Sequence, residues 1–440
     1  MIHNEVKYRR LTNVIDDIDT LHRKGRVVEA YGTSLKVSGI NARIGQQCII
    51  TDKHNSHTVY ADVVGISGEN AILLPLGNIH GIAQDSEVIV IKERSSIKYS
   101  NELIGRILDG MGRPLDHKEL PTGTSEIPIY RDAPSPLTRI PIDKPVSTGI
   151  RSIDATLTLG VGQRTGIFAP AGGGKSTLLS MIARHSETDV IVIALIGERG
   201  REVGEFLEHT LTEEGLARSV LVISTSDRPA MERLRAAYTA TAIAEGFRSE
   251  GKNVLLLMDS VTRFARALRE IGLSVGEPPV RRGFPSSVFA ELPKLFERSG
   301  NDEHGTMTAF YTVLVEDEET NDPIAEEVRS LLDGHIVLTR KLAQENHYPA
   351  IDILNSTSRL INHITDIEHR NNISKLRTLL SKYLEVEFLV QVGEYEEGSD
   401  KLADESISKI GAIKEFLRQD ISDYYHLDEV VKQLDTIVNN

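Results

Sequence analysis

The run Ala169-Pro170-Ala171-Gly172-Gly173-Gly174-Lys175-Ser176 sets consecutive glycines before a lysine and a hydroxyl. Glycines so placed let backbone N–H groups curl round phosphate oxygens, and a following helix N-terminus adds positive partial charge. The context fits, because Gly166-Ile167-Phe168 reads as a strand before the loop and Ser176-Thr177-Leu178-Leu179-Ser180-Met181-Ile182 as a helix after it. Lys175 is then placed to reach the outer phosphates as a point charge, and the Ser176 hydroxyl to complete a Mg²⁺ shell. Ala171, Gly172, Gly173, Gly174, Lys175, Ser176 and Thr177 are the candidate nucleotide-binding residues. Ala169 stands where this pattern usually has glycine, a small change that keeps the lysine–hydroxyl spacing. The residues imply binding of a nucleoside triphosphate.

Two carboxylates point further, to hydrolysis. Val254-Leu255-Leu256-Leu257-Met258-Asp259 is an apolar run ending in an acid, the pattern of a strand buried on both faces of a parallel sheet. Ligands bind at the carboxyl ends of such strands, so Asp259 is placed to hold Mg²⁺ through water opposite Ser176. A second run, Val190 to Ile196, leads into Gly197-Glu198-Arg199-Gly200-Arg201-Glu202 and puts Glu198 on the same rim. A carboxylate there can orient and deprotonate an attacking water. Each acid alone also suits a helix cap, but both capping beside a phosphate loop is the poorer account.

The elements that must position these groups can be read along the chain. Residues 1–20 have Ile2, Val6, Val14, Ile15 and Ile18 near helical spacing beside Lys7, Arg9 and Arg10, the pattern of a short basic amphipathic helix. Residues 21–95 hold short β-rich runs between Gly, Asn and Asp turns, which predicts a small β-barrel. Seven of the sixteen prolines fall between Pro114 and Pro145, so that stretch reads as an extended connection. Alternation of apolar strands and helices from about Thr165 to Ile353 predicts a parallel sheet covered on both faces. Beyond Leu360 the pattern is helical. The expected fold class is therefore α/β: an N-terminal β-barrel over 21–95, a phosphate-loop core over 96–360 with 96–164 as its leading connection, and a C-terminal helical domain over 361–440.

Composition narrows the classes. The chain has 440 residues and a formal net charge of −14, which disfavours a general grip on nucleic acid or anionic lipid. A single cysteine excludes an internal disulfide and fits a reducing cytoplasm. No apolar stretch approaches the roughly 20 residues needed to span a bilayer, and the N-terminus lacks the apolar core of an export signal. His54 and His57 share a loop without cysteine or acid ligands at suitable spacing, so no metal centre is expected there.

The order barrel, phosphate-loop core, helical domain resembles the catalytic subunits of rotary ATPases. Pro349-Ala350-Ile351-Asp352-Ile353-Leu354-Asn355-Ser356-Thr357-Ser358 looks like the signature of that superfamily. Within it the chain resembles the type III secretion ATPases, on Gly149-Ile150-Arg151-Ser152-Ile153-Asp154, Gly197 to Val203, Thr225-Ser226-Asp227-Arg228-Pro229, Asp259 to Arg266 and Asp333 to Leu338. The wording of residues 259–300 is nearer the injectisome branch than the flagellar one.

That resemblance implies ATP as the nucleotide, with Mg²⁺, and roles by position. Glu198 matches the catalytic carboxylate, Arg199 and Arg263 arginines near the γ-phosphate, and Glu202 an acid near the metal's waters. Tyr348 matches an aromatic packed on adenine, although a flat ring before a proline suits a core position equally. Arg359 matches an arginine finger reaching a neighbouring subunit's nucleotide; a planar, always-charged guanidinium is suited to that work. The family further implies a homohexamer at the cytoplasmic side of the inner membrane. Its implied partners are stator and central-stalk proteins of the sorting platform, the export gate and chaperone–substrate complexes, the last associated with residues 361–440. The eight acids from Glu385 to Glu405 suit basic partners or a solvated face. Two rival functions are a β-type subunit of a rotary ATPase and a ring-shaped RNA or DNA translocase. The second would be expected to show an aromatic-rich barrel and basic central loops, whereas residues 21–95 hold only Tyr31 and Tyr60, and Arg281-Arg282-Gly283-Phe284 is the one basic hint.

Overall fold

Alternating apolar and turn-forming residues close a barrel at the N-terminal end of the described chain. A computed structural model describes residues 23–52, 57–92, 95–315 and 322–439. The helix expected over 1–20, and His54 of the histidine pair, lie outside these residues. Residues through 95 together with 273–277 form one compact unit; residues 96–272 and 278–440 form the other.

In the first unit six strands, β1 (Gly25–Tyr31), β2 (Ser34–Ser38), β3 (Gln47–Thr51), β4 (Thr58–Ser67), β5 (Asn70–Pro75) and β6 (Glu87–Lys92), close in the order β1-β2-β5-β4-β3-β6. Every pairing is antiparallel, so side chains alternate inward and outward. The inward set, including Val27, Leu35, Val37, Ile50, Val63, Leu73 and Val88, makes a separate small core. Cys48 sits in it with no exposure, and burial pushes its thiol up to about 12.

The second unit is built on eight strands. They are β7 (Ile107–Asp109), β8 (Arg164–Ala169), β9 (Val190–Ile196), β10 (Ser219–Ser224), β11 (Asn253–Asp259), β12 (Thr306–Leu314), β13 (Gly334–Leu338) and β14 (Ile351–Ser358). Their order is β14-β13-β8-β12-β11-β9-β10-β7, with all neighbours parallel except the last-formed pair, β13 and β14. Two strands depart from the sequence reading. β7 comes from the connection before the prolines and extends the sheet beside β10. The signature run is itself a strand, and it returns antiparallel to β13.

The solid apolar runs are explained by their cover. β9 is buried at every residue and β11 at all but its first. Helix α2 (Ala230–Ser249) lies against them, buried almost throughout, which suits its alanine-rich sequence because small side chains let helix and sheet approach. Helix α1 (Lys175–His185) follows β8, and α3 (Val261–Ser274) follows β11. At the end come α5 (Ile367–Val392), α6 (Lys401–Leu417) and α7 (Leu427–Asn439), preceded by a short helix α4 (Arg340–Gln344). Leu376, Leu379, Ile413, Phe416, Val430 and Leu434 of this helical part join Ile150, Ile153 and the sheet in one hydrophobic core. No described helix is long and apolar enough to cross a membrane.

One buried ion pair ties α2 to the following segments. Arg298 donates to Glu245 through Nε at 2.8 Å and Nη2 at 2.7 Å, and to the Ile129 carbonyl at 2.7 Å, with only 1% of its side chain and 4% of that of Glu245 exposed. Removing one partner strands a buried charge. Glu245→Ala should therefore cost about 3–5 kcal/mol in denaturant unfolding, while the double variant Glu245→Leu/Arg298→Met should recover most of that loss.

Candidate active site

Three strand ends converge on one ammonium. β8 runs into the phosphate loop, where Gly174 adopts φ 81° as the residue before α1, a left-handed conformation that favours glycine. Lys175 begins the helix and turns its side chain toward the rim of the sheet. Its Nζ lies 2.5 Å from Asp259 Oδ1 at the end of β11 and 3.3 Å from Glu198 Oε1 just beyond β9. Arg263, from the first turn of α3, donates from Nη2 to Glu198 Oε2 at 3.0 Å. Gly197 makes that approach possible: at φ 67° it has no side chain, and a Cβ would stand 2.9 Å from Arg263 Cδ.

The cluster is shielded, with 11% of the Lys175 side chain, 8% of that of Glu198 and 6% of that of Asp259 exposed. Burial and the neighbouring Asp259 raise the Glu198 pKa above the usual glutamate range. Lys175 and Arg263 offset part of this, and a hydrogen bond with Glu202 adds to the rise. Burial opposes charge on Lys175, but Asp259 and Glu198 outweigh it and hold the ammonium protonated more firmly than usual. The site thus keeps a cation where phosphates would arrive and a carboxylate whose basicity is enhanced.

The remaining candidates divide by place. Glu202 reaches both Glu198 and, at 3.3 Å, Arg199, whose side chain is 73% exposed. Tyr348 stands over the loop, its Cε1 3.5 Å from where a Cβ on Gly174 would be, and is 40% exposed. Tyr348 thus lies beside the loop and is not fully buried. Ala171, Gly172 and Ser176 are exposed, while Gly173 is buried and Thr177 half-buried behind them. Arg359 is not with the others. It is exposed at the end of β14, and its Nη2 donates to the Arg329 carbonyl at 3.1 Å.

The donor set fits a hard divalent cation such as Mg²⁺, which prefers oxygen ligands and retains water. Asp259 Oδ1 carries the bonds from Lys175 and from Thr312, whereas Oδ2 takes no hydrogen bond among the described residues; the Ser176 hydroxyl is exposed near the loop's end. Among the described residues no three His, Cys, Asp or Glu side chains come together as a protein-only metal cage.

Sequence reasoning missed Thr312. It is fully buried in β12, between the phosphate-loop strand and the Asp259 strand, and its hydroxyl donates to Asp259 Oδ1 at 2.7 Å. Nothing in Phe310 to Val315 marks that threonine except that it is the one aliphatic hydroxyl in an otherwise apolar and aromatic strand end. The acidic stretch resolves toward internal pairing: Lys382 meets Glu385 and Asp400, Lys375 and Lys409 meet Glu405, and Lys341 and Lys414 flank Glu387. Arg281, in the one basic loop, pairs with Glu326 at 2.5 Å.

Comparison with known proteins agrees with this architecture. Residues 149–358 match the ATP synthase alpha/beta family nucleotide-binding domain, and residues 365–436 match the type III secretion EscN ATPase C-terminal domain. The chain is 53% identical over 397 residues to a type 3 secretion system ATPase of Xanthomonas euvesicatoria, covering 90% of each chain. It is 47% identical to the flagellum-specific ATP synthase of Bacillus subtilis, covering 99% of this chain and 100% of the relative. Among solved structures, the assembled ATPase EscN of the enteropathogenic E. coli type III secretion system superposes with a TM-score of 0.89 at 46% identity, covering 94% of this chain and all of that one. The same ATPase in complex with its central stalk EscO gives a TM-score of 0.87 at 45% identity over 94% of this chain.

Thr312→Val keeps the volume and removes the donor to Asp259. A hydrogen bond to a charged group contributes about 1.5–3 kcal/mol, so kcat/KM for ATP should fall about 10- to 100-fold with the thermal melt little changed. Thr312→Ser, which restores the hydroxyl, should stay within about threefold of wild type.

Proposed function

The chain belongs to the type III secretion ATPase family, and from that premise we propose that it hydrolyses ATP with Mg²⁺ as a homohexameric ring that energises protein export. The observation that carries this reading is the convergence of Lys175, Glu198, Asp259 and Arg263 at the strand ends. Lys175, held at the crevice by two carboxylates, reaches the β- and γ-phosphate oxygens, and Glu198 accepts a hydrogen bond from water. Backbone N–H groups of Gly172 to Ser176 cradle the phosphates. Tyr348 packs on the adenine ring, and Ser176, Asp259 and Glu202 would hold the metal. The bound metal would neutralise charge between the β- and γ-phosphates. Glu198 takes the proton of the attacking water as its oxygen bonds to the γ-phosphorus, while the bond to the β-bridging oxygen breaks, giving ADP and phosphate. Arg263 and Arg199 stabilise the charge spreading over the transferring group.

Arg359 completes the site from a neighbouring subunit. Its guanidinium meets none of the catalytic groups of its own chain and is exposed, which supports a role in trans. The ring sits on the cytoplasmic side of the inner membrane as a peripheral component. A central stalk occupies the ring in the manner named for the EscN–EscO complex, and stator, export gate and chaperone–substrate complexes complete its surroundings. The injectisome branch is the preferred one.

Two measurements test this. ATP turnover per protomer, followed across a dilution series with size recorded, should rise as rings form. Arg359→Ala should bind ATP normally yet turn over about 10³–10⁵-fold more slowly; full activity, or turnover independent of assembly, removes the role in trans.

A further test concerns pH. Glu198 acts as a base only when ionised, and its pKa is raised, so kcat/KM should fall on the acid side at a higher pH than an ordinary glutamate would give. Glu198→Gln should bind ATP, lose about 10²–10⁴ in kcat and lose that acid limb. Loss of ATP binding instead would make Glu198 structural.

A further inference from the structure

Behind the segment that carries Tyr348 lies a second cavity, of about 190 Å³. It is bounded by α4, the start of β14, α5 and α6 and is open to solvent on one side. Leu342, Ile353, Leu380, Leu384 and Leu417 supply its apolar walls. Apolar cavities of about 150 Å³ take up single-ring aromatics, so the space suffices for a small planar molecule. Most of its polar lining is already engaged. Thr339 caps α4 by accepting from Leu342 N, Asp352 accepts from Leu354 N and Asn355 N, and Glu387 lies between Lys341 at 4.0 Å and Lys414 at 3.9 Å.

His347 is the exception. It is 4% exposed and lines the cavity, and its ring makes no hydrogen bond among the described residues. Burial, with Arg418 and Lys414 nearby, lowers its pKa to about 4, so at neutral pH the ring is uncharged and offers one donor and one acceptor. A ligand carrying a matching group can therefore hydrogen-bond to the ring from the cavity. The charged lining is Lys341 and Lys414 against Glu345, Asp352 and Glu387, which disfavours an anion, and Asp352 and Glu387 are already engaged by backbone N–H groups and the two lysines.

We propose that this cavity binds a small neutral aromatic molecule bearing one hydroxyl or ring N–H, of the phenol or indole kind, with His347 as its hydrogen-bonding partner. Occupancy is coupled to the nucleotide site. His347 immediately precedes Tyr348, so a ligand that fixes the His347 ring also biases the position of the ring above Gly174. This coupling rests on the proposed role of Tyr348 at the adenine; the binding site itself does not. The coupling is reciprocal, so ATP and the aromatic ligand must alter each other's affinity by the same factor.

The test uses the full chain with phenol and benzene as probes, measured by calorimetry. Phenol should bind in the millimolar range or tighter, and at least fivefold more tightly than benzene. His347→Leu should abolish that preference while leaving benzene binding in place, and Leu384→Trp, which fills the mouth from an exposed helix position, should block both probes and keep ATP-analogue binding. Saturating phenol should shift the affinity for a non-hydrolysable ATP analogue at least threefold. Absence of phenol binding to the wild-type chain, or an unchanged phenol-to-benzene ratio in His347→Leu, overturns the site. Phenol binding that leaves nucleotide affinity unchanged overturns the coupling alone and leaves the ATPase reading intact.

Discussion

The position of one ammonium governs this site. Lys175 is held in a shielded crevice by Asp259 and Glu198, and each of the three comes from the carboxyl end of a different parallel strand. Removing such charges from water is unfavourable unless they meet at close range. The sheet must therefore deliver them in register, and much of the second unit can be understood as the means. The strand order runs β8, β12, β11, β9, so the loop and both acids open onto one crevice at the carboxyl ends of the strands. The apolar cover of β9 and β11 lowers the local dielectric and keeps that geometry stiff, which is what makes the cluster's electrostatics strong.

Much of this was legible in the sequence because the determinants are local. Gly174 before Lys175, and acids at the ends of solid apolar runs, carry their own structural context. What stayed hidden depends on strands being neighbours in space. Thr312 becomes important only because β12 happens to lie beside β11, and that adjacency is not written in either run. The edge strand Ile107–Asp109 is three residues long, too short for alternation to reveal, and is defined by the pairing it finds with β10. The antiparallel return of β14 was masked by the irregular burial of its residues, exposed at Asn355 and Thr357 and buried between them. Tyr348 illustrates the intermediate case: sequence alone left two uses open, and the fold sets its ring close to Gly174 and partly exposed.

The C-terminal helices show how a charge run can mislead. Glu385 to Glu405 reads as a strongly acidic face, yet lysines from the same helical part are brought to many of its acids. Exposed pairs of this kind contribute little to stability individually, but they fix side chains and leave a surface less negative than composition suggests. The deeper coupling of this region to the nucleotide unit is apolar, through the core shared by α5, α6, α7 and the sheet, and polar where Gln419 N donates to the Tyr348 carbonyl at 2.9 Å. The segment over the phosphate loop is thus hydrogen-bonded to the helical part as well as to the strand it precedes.

The lone sulfhydryl has a practical consequence. Cys48 is the chain's one cysteine, sealed in the barrel with a thiol that burial keeps protonated at neutral pH. Since the thiolate is the reactive form, maleimide and related reagents find almost nothing to modify on the native fold. A single cysteine introduced on an outer helix would then be the sole target for a fluorophore or spin label. Distances from that label become measurable without first re-engineering the barrel interior.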